Sequence, residues 1–259
     1  VPDLDLAYAL RLPPEKAIAY LQAKGYAFSW DWYDVWQEAH RKAFTVAKVM
    51  RKDLLDDIRK AVETALADGQ TFAEFRKGLE PTLKAKGWWG KVPLGDGDGG
   101  VEVVQLGSPW RLRTIYRTNL QTAYQAGRWQ TQVEGKEERP YLQFVAVLDA
   151  RTRPSHAALN GKVFPIDDPF WDTFYPPLDW GCRCRVRALS VDNVKERGLK
   201  IETGAGRIET VERLVSKTTG ELRPATRIRV TDAVGQPVTV ATGPGWAYNP
   251  GKQDFQEAS

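Results

Sequence analysis

Two cysteines in 259 residues are too few for a disulfide framework. A packed interior has to hold the fold, and a reducing cytoplasm is the compartment that fits. No apolar run reaches the ~20 residues a membrane-spanning helix needs, and no charged-then-apolar leader opens the chain. No membrane partner is therefore expected. Histidine is as scarce as cysteine, at two, so few side chains are open to metal chemistry or nucleophilic catalysis. Charge of either sign is not in large excess. The net +4 is compatible with an anionic partner but selects none.

Tryptophan, in contrast, is abundant: ten, from Trp30 to Trp246, spread along the chain. Such side chains suit either core packing or contacts between proteins of an assembly. A hydrophobic fraction of 42% is enough for one large domain or two smaller ones.

The patterning implies an α+β protein. A helical N-terminal region (residues 1–94) leads through a loop or linker (95–107) to a mixed α/β central module (108–190). A small β-rich C-terminal region (191–259) follows, with a hairpin and an exposed tail from residue 247. In the first region Pro13-Pro14-Glu15 starts a helix that Gly25 stops. Trp32, Val35, Trp36, Ala39 and Ala43 recur at helical steps after Ser29. Leu54, Leu55, Ile58, Val62, Ala65 and Leu66 form another amphipathic run, ended at Asp68-Gly69. Thr71 and Glu74 make a capping box for a helix that Pro81 is expected to bend or interrupt. The run Gly95–Gly100 reads as a polar loop and lacks the ordered ligands and late Glu of a calcium loop. Ser108-Pro109 opens a long helix through Gln132. Tyr141–Leu148 reads as a buried strand. Ile228, Val230, Val238 and Val240 flank a turn at Asp232–Pro237, a β-hairpin.

Chemistry concentrates between Asp149 and Cys184, a stretch rich in turn residues that contains both cysteines and His156. Cys182, Cys184 and His156, with Asp149 or alternatively Asp179 as fourth ligand, would form a donor set for a structural zinc. Such a site would close a long loop with little else to hold it. Two free buried thiols and an ordinarily hydrogen-bonded histidine stand as the other reading. A disulfide across a single intervening residue is disfavoured by its geometry. Asp167, Asp168 and Asp172 are the carboxylates a hydrolytic metal site would draw on. A metal-dependent nuclease or transferase built on the His156, Cys182 and Cys184 cluster is the alternative to a non-enzymatic role. Arg183, Arg185 and Arg187 alternate with Cys182, Cys184 and Val186. On a strand they share one face, a solvated surface or a contact for phosphates or acidic protein.

These features together resemble the phage Mu F-like head-morphogenesis family. The resemblance is carried by Asp149-x-Arg151-Thr152-x-x-x-His156, Leu159–Phe164, Pro176-Pro177 and Gly181-Cys182-Arg183-Cys184. The Arg117-Thr118-Asn119 helix, the tryptophan-rich stretch before Met50 and Gly243–Gly251 also fit it. The resemblance implies a minor structural protein of a tailed-phage head, not an enzyme. Its partners would be the portal protein and other procapsid components, with packaged double-stranded DNA within reach. It would reside in the virion, and in the host cytoplasm during assembly. Family members often carry His after the Pro-Pro turn; here Asp179 follows Leu178.

Overall fold

Ser108 accepts a hydrogen bond from the Arg111 amide, Pro109 takes the first helical position, and a 26-residue helix follows. In this computed structural model, which describes residues 14–37, 39–95 and 100–252, that helix divides the chain. Before it come α1 (Pro14–Gln22), β1 (Gly25–Tyr26), α2 (Ala39–Lys42), β2 (Ala43–Phe44), α3 (Lys52–Asp68), α4 (Phe72–Ala85), β3 (Lys91–Gly95) and β4 (Val101–Gln105). The long helix is α5 (Pro109–Glu134). After it come β5 (Tyr141–Val145), α6 (Pro154–Ala158), β6 (Val163–Pro165), α7 (Phe170–Phe174), β7 (Arg185–Leu189), α8 (Val191–Glu196), β8 (Ile208–Leu214), β9 (Leu222–Thr231) and β10 (Pro237–Ala241). This is the α+β arrangement expected, helical first and ending in a small sheet.

Helix α5 serves two cores. Its Leu112, Ile115, Tyr116, Leu120 and Ala123 join the buried faces of α1, α3 and α4. Its Trp129 belongs to a second core with Leu142, Phe144, Phe164, Trp171 and Val186. That second core lies between α5 and two antiparallel three-stranded sheets, ordered β6-β5-β7 and β10-β9-β8. The block from Phe164 to Tyr175 fills it with aromatic rings. Phe164 stacks on Phe170 at 3.9 Å and Phe170 on Phe174 at 5.0 Å, with Trp171 edge-on.

Arg59 ties the first core together. Its guanidinium donates to the carbonyls of Leu21, Gln22 and Lys24, the open end of α1, and to Glu63 at 2.9 Å. Replacing it with Met leaves these acceptors unpaired, and we expect a loss of about 3 kcal/mol in urea unfolding. Lys should recover only part of this, because one ammonium cannot span three carbonyls. A loss below ~1 kcal/mol would show that water satisfies the α1 terminus instead.

Four local expectations are corrected. Residues 29–37 form turns and bends, not a helix, and Ala39–Lys42 is the helical stretch described there. The Asp34 carboxylate accepts from the amides of Trp30 and Asp31 at 2.7 and 2.8 Å, a local bond that competes with the helix. Helix α4 runs through Pro81 to Ala85. Within the expected 95–107 loop, Val101–Gln105 pairs with Lys91–Gly95 as a hairpin; its tip, 96–99, lies outside the described residues. The expected tail is packed from Trp246 to Gly251; residues 253–259 lie outside the described residues, as do 1–13 at the first helix start.

Candidate metal centre

After β5 the chain turns on Asp149, whose carboxylate accepts from the Arg151 amide at 3.0 Å and the Thr152 hydroxyl at 3.2 Å. Pro154 then opens the short α6, which points His156 inward at 3% exposure. From the opposite side, the Cys182 amide closes a turn on the Asp179 carbonyl. Gly181, at φ +68°, takes the left-handed conformation that this turn needs. The residues that follow alternate as the sequence suggested: Cys182, Cys184 and Val186 inward, Arg183, Arg185 and Arg187 outward or half-buried. Helix α5 fixes this segment from behind. Gln121 and Gln125 donate to the Cys184 carbonyl at 3.2 and 3.0 Å, and Gln132 donates to that of Val186. Tyr175 donates in turn to Gln132. These glutamines were not anticipated. Their i, i+4, i+11 spacing on an otherwise apolar helix face was the available signal.

His156, Cys182 and Cys184 converge, with one ligand atom from each lying within 4.8 Å of the others. His156 Nδ1 is 3.8 Å from Cys182 Sγ and 3.7 Å from Cys184 Sγ. A zinc ion bound at the usual bond lengths holds sulfur and nitrogen ligands about 3.6 Å apart. The donor set therefore fits zinc. The thiols are also electronically unequal. Donation from the Cys184 thiol, then the His156 contact, holds Cys182 well below the ordinary thiol range, while Cys184 is pushed up by its neighbour and by burial.

Neither aspartate joins the group. Arg183 grips Asp149 with both terminal nitrogens, one contact being 2.8 Å, and holds its carboxyl well below the usual carboxylate range. Asp179 accepts from the Trp180 amide at 2.7 Å and pairs with Arg153 at 3.2 Å. Arg187 donates to Gln143 on the neighbouring strand. The carboxylates considered for hydrolysis are spent elsewhere. Asp168 is buried and accepts from Phe170, Thr203 and Gly204; Asp172 pairs with Lys252, and Asp167 lies near Lys136. The cavity against the cluster measures about 10 Å³, near the ~10–15 Å³ that one water occupies.

An aromatic ladder braces the same turn. Trp180 meets Trp32 at 6.2 Å and Trp246 at 5.1 Å, both edge-on, and Trp246 stacks on Tyr248. The Gly243 amide donates to the Leu178 carbonyl at 2.8 Å. The N-terminal tryptophans and the C-terminal strap thus meet beside the cysteines.

Fold and site define a mixed α+β protein built around a buried thiol–imidazole centre. The chain belongs to the Phage Mu protein F like family, whose model matches residues 56–187. It is 47% identical over 254 residues, 97% of the chain, to a protein of Escherichia phage Mu described as "Putative capsid assembly protein F". It is 49% identical over 229 residues, 88% of the chain, to the Mu-like prophage FluMu F protein of Haemophilus influenzae. It spans 57% and 54% of those two proteins' lengths. No solved structure matches the chain.

Proposed function

We propose that this chain is a structural, non-enzymatic component of tailed-phage head assembly. In this reading it sits in the virion at the portal vertex, close to the packaged double-stranded DNA, and reaches that place from the host cytoplasm while heads are built. The observation that carries the reading is the likeness, along nearly the whole chain, to a protein described as a capsid assembly protein. The site supports it. A buried cluster beside a water-sized cavity suits a fastener better than a pocket for an organic substrate. Among the described residues no helix is long and apolar enough to cross a membrane.

Zinc is the cofactor of this reading. His156, Cys182 and Cys184 would hold it, and bound zinc would cross-link α6 to the segment that leads into β7. The notional fourth ligands Asp149 and Asp179 serve the surrounding turns instead. The outward row Arg183, Arg185 and Arg187 would meet acidic protein surface or phosphate, with Arg183 already tied to Asp149. Val101, Val103 and Trp110, at 69%, 63% and 73% exposure, add apolar area for contact in the helical half.

The test is co-expression with the cognate portal protein. The chain should co-purify with the portal oligomer, and Arg185→Glu with Arg187→Glu should lower recovery at a temperature where the variant is still folded. Absence of any association with portal or procapsid would remove the placement. Metal-dependent cleavage of nucleic acid, lost in Cys182→Ser with folding intact, would replace it by the enzyme reading.

A further inference from the structure

We infer that the centre, once loaded with zinc, keeps one coordination position for a single small ligand from solvent, and that this ligand is an anion or hydroxide. The inference rests on the zinc reading above and adds to it the nature of the fourth partner.

Three observations converge. First, among the described residues only His156, Cys182 and Cys184 gather their ligand atoms within 4.8 Å, which is one donor short of the four that a closed structural zinc site takes. The two carboxylates that could complete it are held by geometry. Asp149 is engaged by both terminal nitrogens of Arg183 and by the Arg151 amide. Asp179 is fixed by Arg153 and the Trp180 amide, and it is packed so tightly on Gly243 that a Cβ there would lie 2.3 Å from its Oδ1. Releasing either would break a charge-assisted pair and shift a packed turn.

Second, the water-sized cavity borders all three donor residues and is only partly enclosed. In this reading a small ligand reaches the metal without unfolding the module. Three protein donors with an open position is the pattern in which zinc keeps an exchangeable ligand.

Third, the charges around the cavity choose the ligand. Arg151, Arg153 and Arg183 are among its lining residues, and the two carboxylates Asp149 and Asp179 pair with them. Zinc with two thiolates and a neutral imidazole is itself uncharged. The surplus guanidinium then favours an anion over a neutral or cationic ligand.

The experiment is cobalt substitution of the full chain followed by titration with sodium azide. Cobalt should bind one equivalent and show thiolate-to-metal charge transfer. Azide should then shift the visible bands in a saturable, one-to-one manner, and the same shift should appear in Asp149→Asn and Asp179→Asn. If cobalt binds with thiolate bands but azide changes nothing, the site is closed and the inference fails while the zinc reading stands. An azide response seen only in one of the Asn variants would mean that its carboxylate is the fourth ligand, which also overturns the inference. If the chain takes up neither cobalt nor zinc, the zinc reading itself fails and this inference falls with it.

Discussion

Chelation of the purified, zinc-loaded chain is expected to lower its melting temperature by ~8–16 °C. A site loaded at about a thousandfold above its dissociation constant contributes about 4 kcal/mol, and each kcal/mol moves the transition of a domain this size by ~2–4 °C. The contribution is large because of what the metal joins. His156 stands on a five-residue helix and the two cysteines follow a turn, so neither side has regular structure long enough to be stable alone. Cys182→Ser and Cys184→Ser should each lower the melting temperature to near the chelated value and make it insensitive to chelator. Asp149→Asn should keep the metal, because its partner is Arg183. Acidification should imitate chelation, since zinc displaces protons from the thiols. Differential scanning calorimetry with metal analysis of each variant checks the set. A wild-type transition that ignores chelator, in a chain purified without zinc, would return the cluster to ordinary core packing. In that case Cys182→Ala should cost only about 1 kcal/mol.

The parts of the fold that the sequence declared are those set by local chemistry. The Thr71–Glu74 capping box and the Ser108-Pro109 start each open a helix as read, because a cap is decided by residues three apart. The hairpin around Asp232–Pro237 forms in the expected place. The errors arose where distant partners decide. The spacing of Trp32, Val35 and Trp36 is helical, yet the Trp32 ring packs on Trp180, both indoles lie against Gly245, and Asp34 closes a turn instead. Strand β8 exposes most of its side chains and carries little period-two signal; its pairing with β9 creates it. Strand β3 holds Pro93, and each strand of a two-stranded hairpin keeps one open edge, where a missing amide costs little.

The site divides in the same way. His156, Cys182 and Cys184 could be picked out because so few residues of those types exist, and the inward–outward alternation with arginine followed from strand geometry. The fate of Asp149 could not be read, since it depends on Arg183 lying across the loop, 34 residues away. The glutamines of α5 escaped notice because their role is to satisfy carbonyls of a segment more than 50 residues distant.

Gly251→Ala is expected to destabilise the protein by about 2–3 kcal/mol, the cost of forcing an extra carbon into a packed interior. The sequence suggests an exposed tail from residue 247, but the backbone at Gly251 lies directly on α5. A Cβ there would sit 2.4 Å from Trp129 Cβ and 2.8 Å from the Ala126 carbonyl oxygen. Both belong to the C-terminal half of a 26-residue helix that two cores hold in place, so the strap has to yield. When it lifts, Tyr248 and Trp246 lose their cover, and Trp180 loses the ring that braces the turn before Cys182. Tryptophan fluorescence should therefore move toward the red, and the loss should appear in urea unfolding together with weaker zinc retention. Gly78→Ala supplies the control. Gly78 is inside α4, has an ordinary φ and has nothing within 4 Å of its would-be Cβ. Alanine there should stabilise by about 0.5–1 kcal/mol through helix propensity alone. Should Gly251→Ala prove neutral while Gly78→Ala behaves as stated, the strap is not seated on α5, and the coupling of the chain's C-terminal segment to the metal centre is refuted.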